Sequence, residues 1–479
     1  MIRRPTLLVA GLAALLASCA GPTNTRPFAP LPPAPGAGAP LAPATGTGLA
    51  SQAFVVGQTT PRAWWEQFGC GDLNRLVTAA LAANDDLAAA DAALRSARAL
   101  AGVAGAGLGP AIDAGYTAQR ARTAASLSAP VADGNQLLYS LHTAQVTASY
   151  PLDLFGGLHA RYRSAQAGAR AARYRVLAAR QTVAGNVVLA AIARAQLADQ
   201  IAATRTMITS AREVLELTRR RRDLGAAGDA DVAAQEAALA ALEAGLPALE
   251  RGEAHQHAVL SILLGLTPGS ALPPLPGSSC LALPSRMPVA YSADVVRYRP
   301  DVMAAAAAVE GAAADARAAL AARFPSITLS ATGGGTAQQF SEMFQSANLF
   351  WSLIGGITAP VFHSGALRRQ QQAAQASLDQ AQAQYRGIVL QAFADVSDAL
   401  HGLHDDALAL SAAQRALTAA ERSHQFIRRQ QELGATGTLA VLADQTTLEQ
   451  ARIQFITAKA ARLVDSVALY QANGAAPDE

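Results

Sequence analysis

Two histidine pairs have spacings that metal sites use. They are His255-Gln-His257 and His401-Gly-Leu-His404, the second followed by Asp405-Asp406 and spaced i, i+3, which puts both imidazoles on one face of a helix. Each pair lies in a long Ala-, Gln- and Leu-rich stretch, where it reads as ordinary helix surface. Five Met and eight His in 479 residues give metal handling no compositional support. Gly102-Val-Ala-Gly-Ala-Gly-Leu-Gly109 has the spacing of a dinucleotide loop, yet it follows a helical stretch instead of a strand and runs into Pro110. No Ser-His-Asp, Cys-His or paired-carboxylate arrangement offers a nucleophile setting. The chain therefore reads as non-enzymatic, with no cofactor and no metal. What remains is a small set of groups whose use depends on position: Arg219 to Arg222, Asp229 and Asp231, the glycines Gly225, Gly228, Gly434 and Gly437, and the cysteines Cys19, Cys70 and Cys280.

The elements that place them begin with an export address. Arg3 and Arg4 precede an apolar run from Leu7 to Ala17, about half the roughly 20 residues a permanent membrane helix needs. Leu16-Ala17-Ser18-Cys19 follows and resembles a bacterial lipobox, which implies a lipidated Cys19 as the mature N-terminus. Ala20 stands where inner-membrane retention would call for Asp, so the same resemblance implies the outer membrane. In an exported protein the leftover pair Cys70 and Cys280 suggests a disulfide. Residues 20 to about 60, rich in Pro, Ala, Gly and Thr and with no helical or strand period, read as an extended tether.

Composition describes the rest. Ala accounts for 116 of 479 residues while aromatics make up only 5%, the palette of long, closely packed helices and not of three compact domains. A net charge of +3 and no basic run longer than four residues leave no footprint for nucleic acid.

A repeat organises those helices. Residues 219–239 match 428–448 at nine of 21 positions, with Arg-Arg, Leu-Gly-Ala and Gly in common at an offset of 209. Asp86-Leu87 and Pro110-Ala-Ile112 recur 215 residues later as Asp301-Val302 and Pro325-Ser-Ile327, and Pro151 recurs as Pro360. Each unit opens with an Ala-rich helix (about 72–106; about 293–323). Two alternating strands follow: Ile112, Ala114, Tyr116, Ala118 and Ala144, Val146, Ala148, Tyr150, Leu152 in unit one, and Ile327, Leu329, Ala331 and Leu349, Trp351, Leu353, Ile357 in unit two. Then comes a Pro-free helix of about 67 residues (158–224; 366–433), roughly 100 Å long, a Gly turn, and a returning helix (230–266; 439–472).

Strands of about ten residues with one apolar and one polar face fit an outer membrane. Four of them cannot close a barrel, and lipid does not tolerate an open edge, so the barrel must be shared between copies. Three copies give twelve strands and a useful lumen. Phe350 and Trp351, at a strand end, are placed for an interfacial aromatic girdle.

From about Pro61 to Gly474 the chain resembles the TolC-like outer membrane factors, in particular their lipoprotein branch serving resistance-nodulation-division (RND) efflux pumps. The residues that carry the resemblance are Trp64-Trp65 with Phe68, Asn84-Asp85-Asp86-Leu87, Arg299-Pro300-Asp301-Val302, Phe324-Pro325-Ser326-Ile327 and the two Leu-Gly-x-x-Gly turns. The resemblance implies a mainly α fold with a small β part: a homotrimer whose outer-membrane barrel, four strands per chain, continues as a long periplasmic helical barrel built from two tandem repeats. It implies passive conduction, with a periplasmic adaptor, an inner-membrane RND transporter and outer-membrane lipid as partners. A type I protein secretion duct shares the fold, and a pore-less envelope coiled coil is the alternative from another class. The boundaries expected are a signal peptide (1–18), a lipidated tether (19–60), a first efflux repeat (61–267), an equatorial linker (268–290), a second repeat (291–473) and a tail (474–479).

On that arrangement the Gly turns form the periplasmic tip, and Asp229 and Asp231 would set three or six carboxylates around a narrow aperture, favouring cations or gating it. The competing reading makes Asp229 only the N-cap of the returning helix. Arg219 to Arg222 would meet an adaptor or neighbouring helices, or form a plain solvated face. Cys70 and Cys280 would both lie at the tunnel equator, where a bond is geometrically reasonable.

Overall fold

A computed structural model describes residues 52–56, 58, 60–122, 138–289 and 298–474. The signal peptide, Cys19 and nearly all of the tether lie outside the described residues.

The strands and helices run β1 (Ala53–Val56), α1 (Gly71–Ala83), α2 (Asp85–Ala106), β2 (Ala111–Arg122), β3 (Leu138–Leu152), α3 (Gly157–Asp223) and α4 (Asp229–Leu263). They continue β4 (Arg286–Val289), α5 (Pro300–Ala321), β5 (Ser326–Ala337), β6 (Leu349–Thr358), α6 (Ala366–Glu432) and α7 (Thr438–Asn473). Both long helices have the expected 67 residues. Three details differ from expectation. The opening helix of unit one is broken at Asn84, which adopts extended backbone and caps α2: its side chain accepts from Leu87 N–H at 3.1 Å and donates to Leu263 O at 3.1 Å. The last stretch of the expected tether is a strand, β1, paired in parallel with β4 in the linker. Neither short strand has enough residues to show a period, which is why sequence pattern alone missed them.

The main sheet is antiparallel, ordered β2-β3-β5-β6, so the hairpins of the two repeats join through β3 and β5. The register confirms the two faces. Ile112 pairs with Ala148, Val146 with Gly333 and Leu329 with Tyr150, so the apolar sets share one side; Thr147 pairs with Thr332 and Thr143 with Thr336 on the other, with hydroxyls 3.5 and 3.0 Å apart. Trp351 pairs with Gly333 on the apolar face and is largely exposed, but Phe350 pairs with Gly334 on the polar face. Trp351 alone fits a girdle, because adjacent strand residues point to opposite sides.

The helices form one layer. Toward the sheet α2 packs on α3, α3 on α5 and α5 on α6; away from it the order is α4, α3, α7, α6. Sheet and helices therefore have matching free edges, with β2, α2 and α4 on one side and β6 and α6 on the other. The core lies where the halves meet, and it includes Trp64, Phe68, Val187, Ile192, Val389, Leu403 and Tyr470. Trp64 stacks on Tyr470, centroids 5.4 Å apart. A stretch of α3 is apolar enough for a membrane helix, but half of it is buried, and its Val183 to Ala195 contribute to this core.

Candidate tip and conduction path

At the far end from the sheet, both long helices stop in the same way. Gly225 (φ 72°) and Gly434 (φ 71°) take the left-handed conformation. Gly225 N–H donates to Arg222 O at 2.8 Å and Ala226 N–H to Arg221 O at 2.7 Å; Gly434 and Ala435 repeat this on Gln431 O and Gln430 O at 3.0 and 2.8 Å. These are Schellman turns, in which glycine avoids the Cβ clash of the left-handed region. Gly228 and Gly437 are the N-caps of α4 and α7, with extended backbone.

The two carboxylates beside Gly228 do different things. Asp231 Oδ2 accepts from Gly228 N–H at 2.9 Å, closing the first turn of α4. The capping role falls to Asp231, which corrects the reading of Asp229 as N-cap. The Asp229 side chain is 93% exposed, with Arg222 3.9 Å away. The arginines also divide. Arg219 bonds Glu216 and, across the hairpin, Glu236 at 2.9 and 2.7 Å; these bonds raise its pKa. Arg222 turns to Asp223 at 2.7 Å, Arg221 reaches Ala226 O at 3.5 Å, and Arg220 is exposed. Higher up, Arg212–Glu243 and Arg205–Glu250, at 2.6 and 2.8 Å, continue the clasp between α3 and α4. Repeat two uses a different clasp: Asp444 of α7 accepts from Ser423 at 2.8 Å and lies 3.0 Å from His424 Nδ1. Sequence reasoning missed these clasps because no local motif marks pairs 17 to 45 residues apart.

The equator carries the remaining sites. Cys70 and Cys280 are joined as a disulfide with Cα atoms 5.2 Å apart, tying the start of α1 to the linker. Arg299 of the Arg-Pro-Asp-Val motif bonds Asp301 at 2.7 Å, Asp395 of α6 at 2.8 Å and Ala472 O at 3.3 Å. Burial opposes its charge, but the two carboxylates outweigh that and raise its pKa; Arg299 in turn overcomes burial to lower that of Asp301. Fully buried Arg462 donates to Gln52 Oε1 at 2.9 Å and to Leu403 O at 3.2 Å, holding the strand-bearing end of the tether. Close by, the Asp406 carboxyl is pushed up to about 6 by burial and by Asp465, with Arg462 pulling it down. His255 and His257 lie on α4, His401 and His404 on α6; no cluster of three or more possible metal ligands occurs among the described residues. Gly102 to Gly109 end α2 and lead into β2, with no nucleotide-loop geometry.

A sheet with one lipid-compatible face, a 67-residue helix leaving each hairpin and matched free edges make a segment of a wall that is complete only as a ring. The outer membrane efflux protein model matches residues 76–266 and 294–475, once per repeat. The chain belongs to the outer membrane efflux protein family. It is 30% identical over 416 residues to the pyoverdine export outer membrane protein OpmQ of Pseudomonas putida, covering 86% of this chain and 87% of that one. It is 29% identical over 491 residues to the outer membrane protein OprJ of Pseudomonas aeruginosa, covering 100% and 98%. The solved outer-membrane channel OprN superposes with a TM-score of 0.80 at 25% identity, over 89% of this chain and 95% of that one. This outer membrane efflux protein is thus a channel subunit of the outer membrane, mainly helical with a small sheet.

Proposed function

We propose that three copies of the chain close a twelve-stranded barrel and a helical tunnel, and that this duct passively carries small molecules out of the cell for an RND transporter docked through a periplasmic adaptor. The observation that carries this reading is the coincidence of free edges: β6 and α6 must meet β2, α2 and α4 of the next copy, which leaves no sheet edge in lipid. Relatives whose printed names concern pyoverdine export and toluene efflux support small molecules as cargo. Tip turns, aperture and adaptor contact fall at the same end. Asp229 is the aperture carboxylate, Asp231 the cap beside it, and Arg220 with Arg221 the arginines available to an adaptor, since Arg219 is committed to the hairpin. The Cys70–Cys280 bond braces the equator between a first repeat (61–267) and a second (291–473), and lipidated Cys19 fastens the tether to the membrane. Deleting the gene should raise accumulation of pump substrates such as a fluorescent dye, and the intact gene should restore efflux. Restoration of protein secretion with no change in dye accumulation would overturn the reading.

A further inference from the structure

Alternation fixes which side of the sheet each strand residue faces, and β2 carries its apolar row out to two cations. Ile112, Ala114, Tyr116 and Ala118 share the apolar face, and the next residues of the same parity are Arg120 and Arg122. Their partners on β3, Ser140 and Leu138, continue the row of Ala148, Val146, Ala144 and His142. Arg120 and Arg122 are exposed, and their side chains make no ion pair or hydrogen bond among the described residues. The copy whose β6 meets β2 brings no acid along that strand, because Leu349 to Thr358 contains none.

Height places the two cations. Leu152, the last residue of β3, is ten residues from His142, about 34 Å of strand, which at a tilt of about 40° spans about 25 Å, the height of an outer-membrane apolar band. Arg120, beside Ser140, stands about 5 Å beyond that band and Arg122 about 5 Å further. This end of the sheet is the one away from the helices, hence the exterior one.

The rim just below the arginines is aromatic. Tyr116 stacks on His142 with centroids 6.2 Å apart, and its hydroxyl lies 2.8 Å from His142 Nδ1. Phe340 meets both rings edge-on, at 5.8 and 6.3 Å. It belongs to the connection between β5 and β6 (338–348), which folds back over the apolar face. A Cβ at Gly335 would fall on Met343 O, and Gly335, Ala337 and Met343 are buried while Leu329, Ala331 and Trp351 of the same face are exposed. Glu342, the one acid of that connection, forms no ion pair among the described residues.

We propose that Arg120 and Arg122 bind the phosphate of an anionic glycolipid of the outer leaflet, with the Tyr116–His142–Phe340 cluster at the level where its sugar meets its acyl chains. Unpaired guanidiniums favour phosphate oxygens, and rings with an apolar body and a polar tip settle at the membrane interface. Height selects the leaflet, since a periplasmic-leaflet phosphate would lie at the opposite end of the strands. The inference rests on the placement of the sheet in the outer membrane with the helices on the periplasmic side, and not on the cargo or the pump.

The test uses the full-length protein purified in a neutral detergent, and native mass spectrometry with bisphosphorylated lipid A or the same lipid with both phosphates removed. Adducts of the phosphorylated probe should survive mild activation about tenfold more often than those of the other. R120Q/R122Q should lose that preference, R120K/R122K should keep most of it, and R368Q/R369Q, which removes equal charge at the start of α6, should leave it intact. Unchanged adducts in R120Q/R122Q overturn the proposal. So does an equal loss in R368Q/R369Q, which would mean diffuse attraction and no site. Reversal potentials in a planar bilayer check the side of the wall: R120Q/R122Q should match the wild type, and a shift toward cations would place the two arginines in the lumen and overturn the lipid assignment.

Discussion

At the residue scale, neighbouring side chains of one type have separate work. Asp231 is held by the Gly228 N–H, so replacing it by Ala should loosen the first turn of α4 at a cost of about 1 kcal/mol and leave ion selectivity nearly unchanged. Asp229 is exposed beside Arg222, so on the proposed aperture role Asp229→Ala should reduce cation over anion permeability in reversal-potential measurements; equal selectivity in both single variants removes Asp229 from the aperture. Asp406 makes a pH prediction with a definite sign. Its folded pKa of about 6 lies above the ordinary 3.8, so the stability tied to its proton is complete below about pH 4 and is lost as pH rises through 6. The groups facing it are Asp465 and Arg462 on α7 and Asp405 on its own helix. Thermal unfolding of the wild type should fall between pH 4.5 and 7.5 more steeply than that of Asp406→Asn, and parallel slopes contradict the assignment.

At the element scale, the disulfide is a covalent constraint of long range, with its cysteines 210 residues apart. A crosslink of that span stabilises by at most about 5 kcal/mol in the loop-entropy account. Reductant should lower the unfolding temperature of the wild type and leave Cys70→Ser/Cys280→Ser unmoved. A wild type indifferent to reductant would show that the equatorial core alone, Trp64 on Tyr470 and its neighbours, holds the two repeats. The sequence is informative about elements in proportion to their periodicity. The 67-residue helices, the four long strands and the glycine turns are legible because composition, alternation and a duplicated motif agree over many residues. The break at Asn84 looks like one more polar position inside a helix, and β1 and β4 are four residues each. Strand order across the repeats, the clasps between α3 and α4 and the His424–Asp444 pair are tertiary facts. They join residues that no spacing rule connects, and so the division of labour among Arg219 to Arg222 emerges only from the folded hairpin.

At the scale of the whole molecule, the chain is a third of a wall. Its apolar sheet face needs lipid, its polar face needs water, and its free edges need copies of themselves, so folding, assembly and membrane insertion are coupled. The clasps hold both tip hairpins, the first of which carries Asp229. The most direct test of a duct is electrical. Purified protein in a planar bilayer should give discrete conductance steps, more frequent or larger when Arg219→Gln and His424→Ala release both clasps. Stable trimers that insert into the bilayer and pass no current in either form would contradict the account.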